Sequence, residues 1–305
     1  FVKDPQVGGH DWVVSFDLNS LYPNIIVQYN ISPETLLRSH NIRFPSGPAA
    51  YLSNYKSDEQ ISDKYSVTAS GVPFTKDKQG IIPELITEYY DERSQIKRKM
   101  LDAKSAYEKT KEYKLESEIN QLENNQMAIK ILLNSLYGAL ANKYFKYFDN
   151  ALAESVTLTG QLSIKWAEEA INKEMNKILK TDKDYVIAID TDSVYISIKH
   201  LVDKFNIPFK TKRGKITKEV HTLVNEIETH LNDHILSWGQ KVLNSSDCRF
   251  MFKRESICDV GTFLQKKRYI LHVLDDEGIP VDKFKYTGVE VVRTTMPKAI
   301  INPNN

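Results

Sequence analysis

Three aspartates stand where apolar, strand-like runs end. Asp17 closes a run that starts at Trp12, and Asp190 and Asp192 lie in the stretch Asp-Thr-Asp-Ser at 190–193, between two β-rich segments. The first pattern is typical of a buried strand that carries a side chain to a sheet edge, and the second predicts a hairpin with an acidic turn. If these strands are neighbours in one sheet, two or three carboxylates converge at its edge.

Converging carboxylates suggest Mg²⁺ chemistry. Mg²⁺ prefers one or two carboxylates and completes its coordination with substrate phosphates. Two such ions held ~3.5–4 Å apart activate an attacking hydroxyl and stabilise the leaving oxygen in phosphoryl transfer. Taken alone, an Asp-Thr-Asp-Ser stretch is more often a simple turn. The rest of the sequence therefore has to decide between the two interpretations.

Two long helices are predicted to position a second set of polar residues. Residues 83–114 contain almost no helix breakers and place apolar residues at three-, four- and seven-residue spacings, and a second helical run follows at 115–140. A short polar turn between them predicts an antiparallel helical hairpin. Lys130, Asn134 and Tyr137 fall at i, i+4 and i+7 of the second helix and share one face.

Further elements are predicted around these two. Residues 43–80 lack periodicity and are interpreted as an irregular surface insertion. The remaining pattern predicts helices at 151–179 and 218–242, strands at 185–189 and 194–198, and extended segments at 257–273 and 285–292.

The bulk properties describe an ordinary globular chain. A net charge of +1 over 305 residues offers no overall attraction to nucleic acid, so a DNA site must come from local clusters of basic residues. Cys248 and Cys258 lack the spacing of a zinc site or a disulfide framework. No apolar run is long enough to span a bilayer, and no leader is present, so a cytosolic location is expected. Because the chain starts at Phe1 rather than Met, both ends are expected to be cuts in a longer protein.

Four motifs in order resemble the family B DNA polymerases. Residues 17–23 (Asp-Leu-Asn-Ser-Leu-Tyr-Pro) resemble motif A, 130–138 (Lys-Ile-Leu-Leu-Asn-Ser-Leu-Tyr-Gly) resemble motif B, and 190–193 resemble motif C. Lys-Lys-Arg-Tyr at 266–269 resembles a later element of the family. The continuations at 30–35 and 295–299 are similar to those of the replicative polymerases of tailed phages. One motif alone is weak evidence, whereas four in the family's order are strong.

The resemblance implies an α/β fold of the α+β kind. We expect a polymerase palm, an antiparallel sheet backed by helices, interrupted by a two-helix antiparallel fingers hairpin. The first part of the palm, with motif A and the irregular insertion, is expected at 1–80, the fingers with motif B at 81–146, and the second part of the palm, with motif C, at 147–305. The family's exonuclease domain is expected before Phe1 and its thumb near or beyond Asn305.

The resemblance also implies roles for single residues. Asp17 and Asp192 would bind two Mg²⁺ ions, for which Mn²⁺ can substitute, Leu18 would add its backbone carbonyl, and Asp190 would be a nearby catalytic carboxylate of lesser weight. The residues expected to contact the nucleotide are Ser20, Leu21, Tyr22, Arg93, Lys97, Lys130 and Asn134. The residues expected to contact DNA are Tyr137, Gly138, Lys266, Lys267, Arg268 and Tyr269. Glu255 is a further acidic candidate near the metals.

Two departures from the family pattern surround these residues. Ala188 and Ile189 stand where the family usually has Tyr-Gly, so the hairpin turn is expected to differ slightly. Lys253 stands where related phage enzymes often carry Asp, which leaves the charge near Glu255 open.

The activity implied is template-directed addition of deoxynucleotides to a primer 3′ end with release of pyrophosphate. The partners implied are primer-template DNA, deoxynucleoside triphosphates, and a sliding clamp or the remaining polymerase domains, in the cytoplasm of a phage-infected bacterium and without a membrane. Weak activity is expected of these 305 residues alone, because thumb contacts to phosphate are missing.

Three alternatives stand beside this interpretation. The first is a palm-like, non-catalytic subunit of a split or inactive polymerase. The second is a two-metal nuclease that uses the same carboxylates but has no need of the Lys130, Asn134 and Tyr137 face. The third is a coiled-coil interaction protein, which does not explain the strands around Asp17 and Asp190.

Overall fold

The chain divides into two compact units. A computed structural model describes residues 1–38, 47–49, 52, 64–212, 214–242 and 248–290. The first unit comprises Phe1–Asn19, Gly160–Trp238 and Phe250–Asn305, and the second comprises Ser20–Thr159 and Gly239–Arg249. No helix in these described ranges combines the length and the apolar character that a bilayer crossing requires.

One six-stranded sheet dominates the first unit. Its strands are β1 (Gly8–Leu18), β4 (Val186–Asp190), β5 (Ser193–Ser197), β6 (Phe252–Gln265), β7 (Arg268–Asp276) and β8 (Ile279–Thr287). The order across the sheet is β4-β5-β1-β6-β7-β8, and every neighbouring pair is antiparallel. The first strand of the chain therefore lies inside the sheet, between strands that come much later in the sequence.

Helices back this sheet through side-chain hydrogen bonds to its backbone. The helix α6 (Lys218–Val242) buries an apolar stripe that includes Val224 and Leu231. Its Asn232 accepts a hydrogen bond from the backbone N–H of Phe252 (2.7 Å) and donates one to the carbonyl of the same residue (2.9 Å). These contacts attach α6 to the start of β6. The antiparallel sheet backed by helices that the sequence predicts is confirmed.

The first unit contains two further helices. One is α4 (Asn150–Leu179), of which residues from 160 onwards belong to this unit, and the other is α5 (Lys199–Lys204). In α4, the Asn172 amide oxygen accepts the backbone N–H of Tyr185 (2.8 Å), which holds the entry to β4. The predicted helices at 151–179 and 218–242 are confirmed within one residue, whereas the short α5 was not predicted.

Burial alternates along β7 and is continuous from Val13 to Phe16 in β1. Tyr269, Leu271 and Val273 are buried, whereas the residues between them are partly exposed, so β7 has one covered and one open face. In contrast, Val13 and Val14 are both fully buried, as expected for a strand inside the sheet with cover on both faces.

The second unit is mainly helical. It contains α1 (Leu21–Gln28), α2 (Ile81–Thr110), α3 (Tyr113–Leu140), the first turns of α4 and a small hairpin of β2 (Tyr65–Val67) and β3 (Pro73–Thr75). The two long helices are separated by two residues, and the first of these, Lys111, has a left-handed backbone (φ 56°) that ends α2. A salt bridge joins Lys104 of α2 to Glu123 of α3 (2.9 Å). The predicted helical hairpin is confirmed, although α2 ends at Thr110 rather than at 114.

The prediction of an irregular insertion at 43–80 is wrong in part. The β2–β3 hairpin lies within it, and its Val67 and Phe74 side chains are buried in the second unit. The Ser66 hydroxyl donates to the carbonyl of Tyr29 (2.6 Å). Strands of three residues are too short for alternation to be visible in the sequence. Residues 43–46, 50–51 and 53–63 of this prediction lie outside the described residues.

The extended segments differ from prediction at their ends. The segment 257–273 is two strands, β6 and β7, turning at Lys266 and Lys267, and β6 begins already at Phe252. The segment predicted at 285–292 is the end of β8, which begins at Ile279, and residues 291–292 lie outside the described part of the chain.

Candidate active site

In the first unit, Asp17 and Asp192 lie close together where β1 ends and β5 begins. Asp17 is aligned with Ser193 across β1 and β5, and the Ser193 hydroxyl donates a hydrogen bond to the Asp17 carboxylate (3.0 Å). The backbone N–H of Leu18 donates to the carbonyl of Asp192 (2.9 Å). Strand pairing thus brings together two of the carboxylates that the sequence singles out.

The acidic hairpin turn is shaped by a left-handed residue. Thr191 has φ 61°, and the Asp192 N–H donates to the carbonyl of Asp190 (2.8 Å). β4 runs in register into this turn, with Ile189 opposite Val194 and Asp190 opposite Ser193. The Ala-Ile pair that departs from the family pattern therefore follows a register irregularity between Val186 and Ala188 and leads into a turn whose two sides are paired.

The three aspartates differ in their charge partners. The Asp190 carboxylate forms a salt bridge with Lys267 (3.3 Å). Within the described residues, no basic nitrogen lies within 4.0 Å of the Asp17 or Asp192 carboxylate. Asp17 and Asp192 are therefore half-buried side by side without an ion pair among the described residues.

Burial and neighbouring negative charges oppose ionisation of the Asp17 and Asp192 carboxyl groups. Burial, followed by the negative charge of Asp192, raises the pKa of Asp17 to about 7, although the Ser193 hydrogen bond lowers it in part. Burial also raises the pKa of Asp192, and the charges of Asp190 and Glu255 raise it further. Such paired carboxylates are a frequent feature of functional sites, because a bound cation offsets the repulsion.

Glu255 lies close to this pair. Its carboxylate accepts hydrogen bonds from Lys285 (2.6 Å) and from the Ser15 hydroxyl (3.2 Å), and its charge raises the pKa values of both Asp17 and Asp192. Sequence analysis named Glu255 but not Ser15, Ser193 or Lys285. Lys285 carries no local signal, because it lies 30 residues along the chain from its partner.

The donor set fits a metal site that substrate completes. In the parts of the chain that the structure describes, no group of three or more His, Cys, Asp or Glu side chains can hold an ion. Two carboxylates with a backbone carbonyl are nevertheless what Mg²⁺ takes when phosphates and water supply its remaining ligands. The uncompensated charge of Asp17 and Asp192 is consistent with Mg²⁺ and argues against a closed structural site.

Residues predicted to bind the nucleotide are found in the second unit. Ser20 has a left-handed backbone (φ 48°) immediately before α1, and Leu21 and Tyr22 form the first turn of that helix. The Tyr22 and Tyr137 rings are in contact, with centroids 4.7 Å apart and planes tilted by 54°. Burial raises the pKa of the Tyr137 phenol. The structure therefore brings together two aromatic residues that the motifs place 115 positions apart in the sequence.

The polar faces of α2 and α3 are open. Lys97, Lys130 and Asn134 are exposed, whereas Arg93 is partly buried and its Nε atom has no hydrogen-bond partner among the described residues. At Gly138, an added Cβ would meet no atom within 4 Å. Packing within the chain therefore does not require glycine at that position, in keeping with a residue that leaves room for a ligand.

The Lys-Lys-Arg-Tyr element forms the β6–β7 turn. Its three basic side chains reach the surface and pair with single acids, Lys266 with Asp4 (3.1 Å), Lys267 with Asp190, and Arg268 with Glu290 (2.9 Å). Tyr269 is instead buried, with 5% of its surface exposed, and its hydroxyl lies 2.9 Å from that of Tyr195. The three basic side chains thus lie at the surface, each with an acidic partner, whereas Tyr269 lies in the core.

Comparison with known proteins identifies the family. The model of DNA polymerase family B matches residues 1–302. The chain is 30% identical to the DNA-directed DNA polymerase of Enterobacteria phage T4 over 366 aligned residues, which covers 98% of this chain and 39% of the phage protein. It is also 30% identical to that of Escherichia phage RB69 over 355 residues (98% and 38%), and 29% identical to the DNA polymerase of Pyrococcus glycovorans over 293 residues (96% and 29%). The chain spans about two-fifths of the length of the two phage relatives. With motifs A, B and C in order and a match over nearly its whole length, this chain belongs to DNA polymerase family B.

Proposed function

We propose that this chain carries the nucleotidyl-transfer centre of a DNA polymerase. The reaction is template-directed addition of a deoxynucleotide to a primer 3′ end, with pyrophosphate as the product. The observation that carries the proposal is the half-buried pair Asp17 and Asp192, which lacks an ion pair among the described residues and lies where β1 ends beside the turn before β5. Membership of the family supplies the reaction class.

Asp17, Asp192 and the backbone carbonyl of Leu18 hold two Mg²⁺ ions in this proposal. Metal bound by these residues would supply activation of the primer hydroxyl and stabilisation of the leaving oxygen of the triphosphate. The role of the protein is to keep both carboxylates ionised and oriented, which the Ser193 hydroxyl does for Asp17. Asp190, already neutralised by Lys267, has the lesser role of holding the turn.

The second unit binds the incoming nucleotide in this proposal. Lys130 and Arg93 contact the triphosphate, with Lys97 and Asn134 beside them, because a compact ammonium and a guanidinium fork both suit phosphate oxygens. The backbone N–H groups of Ser20 and Leu21 add hydrogen bonds to the same group. The unpartnered Nε of Arg93 supports this assignment.

Tyr22 selects deoxyribose over ribose in this proposal. Its ring lies under the sugar and leaves no room for a 2′-hydroxyl, the group that distinguishes RNA from DNA. The contact between the Tyr22 and Tyr137 rings supports this role, since a ring held by a neighbour excludes a hydroxyl better than a free one. Tyr137 and Gly138 then border the nascent base pair.

Primer-template DNA is held by Lys266, Lys267 and Arg268 through its phosphates. We propose weak extension by these 305 residues on their own, because the phage relatives are more than twice as long and phosphate contacts dominate DNA affinity. A sliding clamp or the rest of the polymerase would supply processivity. Because two of the relatives are phage proteins, we propose the cytoplasm of an infected bacterium as the location of this chain.

Single-turnover primer extension with excess protein tests the proposal. Wild type is compared with Asp17→Asn and Asp192→Asn, and Asp182→Asn serves as the matched control because Asp182 is exposed and precedes the end of β4 opposite to the acidic turn. We expect both site variants to lose roughly a thousandfold in rate, since several kcal/mol of charge stabilisation disappear. The control should be unchanged.

Nucleotide binding separates the alternatives. A polymerase centre binds a deoxynucleoside triphosphate in the presence of Mn²⁺, and Lys130→Gln weakens that binding. Metal and nucleotide binding without any extension would support the non-catalytic subunit. DNA cleavage that needs Asp17 but not Lys130 would support the nuclease and refute the polymerase.

A further inference from the structure

A second cluster of basic residues lies outside the candidate active site. Residues 208–212 and 214–218, which we call the basic turn, contain Lys210, Lys212, Lys215 and Lys218 and no acidic residue, in a chain whose net charge is +1. The usual interpretation of such a run is a solvated surface. The geometry of its described residues points to a more specific role.

The basic turn is closed by its own backbone. The Thr211 N–H donates to the carbonyl of Lys215 (2.7 Å), and the Gly214 N–H donates to that of Thr211 (2.9 Å). Gly214 has φ +76°, a conformation that glycine adopts without strain. The Thr217 hydroxyl donates to the carbonyl of Pro208 (2.6 Å) and closes the base of the turn.

Two side-chain contacts attach the basic turn to the sheet. Phe209 stacks on Trp12 of β1, with ring centroids 3.6 Å apart and planes within 20°. Trp12 itself has φ 52°, which is rare for a bulky residue and costs about 1–3 kcal/mol. Lys210 forms a salt bridge with Asp259 of β6 (2.6 Å). A strained residue in the contact suggests that the position of the turn matters.

The anchoring salt bridge belongs to a longer chain of charges. Asp259 also contacts His272 of β7 (2.6 Å), and the other ring nitrogen of His272 contacts Asp282 of β8 (2.7 Å). Lys210 is therefore neutralised and acts as an anchor. In contrast, Lys212 and Lys215 are exposed, and neither lies within 4.0 Å of an acidic oxygen in the described part of the molecule.

The basic turn is on the face of the sheet opposite the carboxylate pair. Asp259 contacts His272 of β7, whose neighbours Leu271 and Val273 pack in the same core cluster as Cys258, so His272 and Asp259 lie on the other face of the sheet. Cys258 packs in the core cluster that contains Tyr195, and Tyr195 shares its face of β5 with Ser193, the residue that binds Asp17. A polymer bound at the basic turn would therefore not contact the carboxylates from the same side.

We propose that the basic turn binds the phosphate backbone of a single-stranded nucleic acid segment outside the active site. Lys212 and Lys215 supply two phosphate contacts from a turn that is closed by its own backbone hydrogen bonds. Phe205 favours nucleic acid over an acidic protein, because it is exposed, lies close in sequence and has Lys204 over its ring (6.0 Å), the combination on which bases stack. The proposal goes beyond the proposed function and needs no catalysis.

Salt-dependent binding of a fluorescent oligothymidylate tests the proposal. Lys212→Gln/Lys215→Gln should reduce the slope of log affinity against log salt by about 1.4, since each single-strand phosphate contact contributes about 0.7. Lys173→Gln/Lys180→Gln removes the same charge from exposed lysines of the first unit and should leave the slope unchanged. Phe205→Ala should weaken binding several-fold with the slope unchanged, because stacking releases no counterions.

Three results would overturn the proposal. The first is a salt slope for the basic-turn variant equal to that of wild type. The second is a reduction of the salt slope by the lysine control as large as the reduction by the basic-turn variant. The third is competition by poly-glutamate at the same charge concentration as effective as that by unlabelled oligothymidylate, which would indicate an acidic protein partner. Repeating the measurement in Asp17→Asn keeps the two proposals apart. The contribution of the basic turn should persist there, whether or not the chain extends primers.

Discussion

Replacing Asp17 by Asn should stabilise the metal-free protein at about pH 8. The folded state raises the pKa of this carboxyl from 3.8 to about 7, which means that folding binds its proton more tightly. A group of this kind makes the free energy of unfolding fall as pH rises between the two pKa values, so the loss develops from about pH 4 to about pH 7. The loss is complete above that window, where Asp17 is ionised in both states.

The size of this loss follows from the shift. One pKa unit corresponds to about 1.4 kcal/mol, and a shift of about three units gives an upper value of about 4 kcal/mol. Because Asp192 shares the repulsion and solvent reaches part of the site, we expect about 2–4 kcal/mol. An asparagine at position 17 removes the ionisation and retains an amide oxygen for the Ser193 hydroxyl.

Urea unfolding followed by tryptophan fluorescence, with a chelator present, measures this effect. Asp17→Asn should exceed wild type in free energy of unfolding at about pH 8 and should match it at about pH 4. In samples without the chelator, added Mn²⁺ should stabilise wild type but not the variant, because binding to the folded state alone raises stability. Asp182→Asn, an exposed aspartate, should behave as wild type at both pH values.

The reasoning would be refuted by a variant that is no more stable than wild type at about pH 8. It would equally be refuted by a gain that is the same at both pH values, since packing rather than ionisation would then explain it. A gain for the Asp182→Asn control would show a general effect of lowering negative charge.

Three further predictions concern residues around the sheet. The carboxylates of Asp282 and Asp259 raise the pKa of His272. The stability that His272 contributes should therefore be present below its unfolded pKa of about 6.5 and be lost as pH rises through the folded pKa. NMR titration of the ring measures the folded pKa, and the pH dependence of stability should be absent in His272→Asn. Gly288→Ala should destabilise by about 2 kcal/mol or more, because an added Cβ would lie 2.0 Å from a carbonyl oxygen of the β6–β7 turn, whereas Gly278→Ala, also at positive φ but 3.3 Å from a flexible side chain, should cost about 1 kcal/mol in thermal unfolding. Burial raises the pKa of Cys258 to about 12, so a thiol reagent should modify one cysteine of the folded protein quickly and Cys258 only after unfolding.

Local patterns in the sequence were enough to predict the individual elements. The apolar run before Asp17 is β1, the acidic stretch at 190–193 is the hairpin turn, and the apolar spacings of 83–114 mark α2. Such patterns depend on neighbours a few residues apart, which is why they can be recognised without a structure. The resemblance to the family then indicated which aspartates are expected to bind metal.

Partners distant in sequence could not be predicted. Nothing near Glu255 indicates that Lys285 neutralises it, and nothing in the Lys-Lys-Arg-Tyr element shows that Tyr269 turns inward to meet Tyr195. These contacts follow from strand register, which is set by packing over the whole sheet. The end of α2 at Lys111 was missed because lysine rarely adopts the left-handed backbone.

The position of β1 inside the sheet determines the order in which the protein can assemble. The hydrogen bond between Asp17 and Ser193 joins residues 176 apart, and that between Ser15 and Glu255 joins residues 240 apart. The salt bridge between α2 and α3, in contrast, spans 19 residues. Contacts of long sequence separation form slowly, because a large loop must close before they stabilise anything. We therefore expect the helical hairpin to form first during refolding, and the carboxylate pair to form only when the last strands of the sheet have docked.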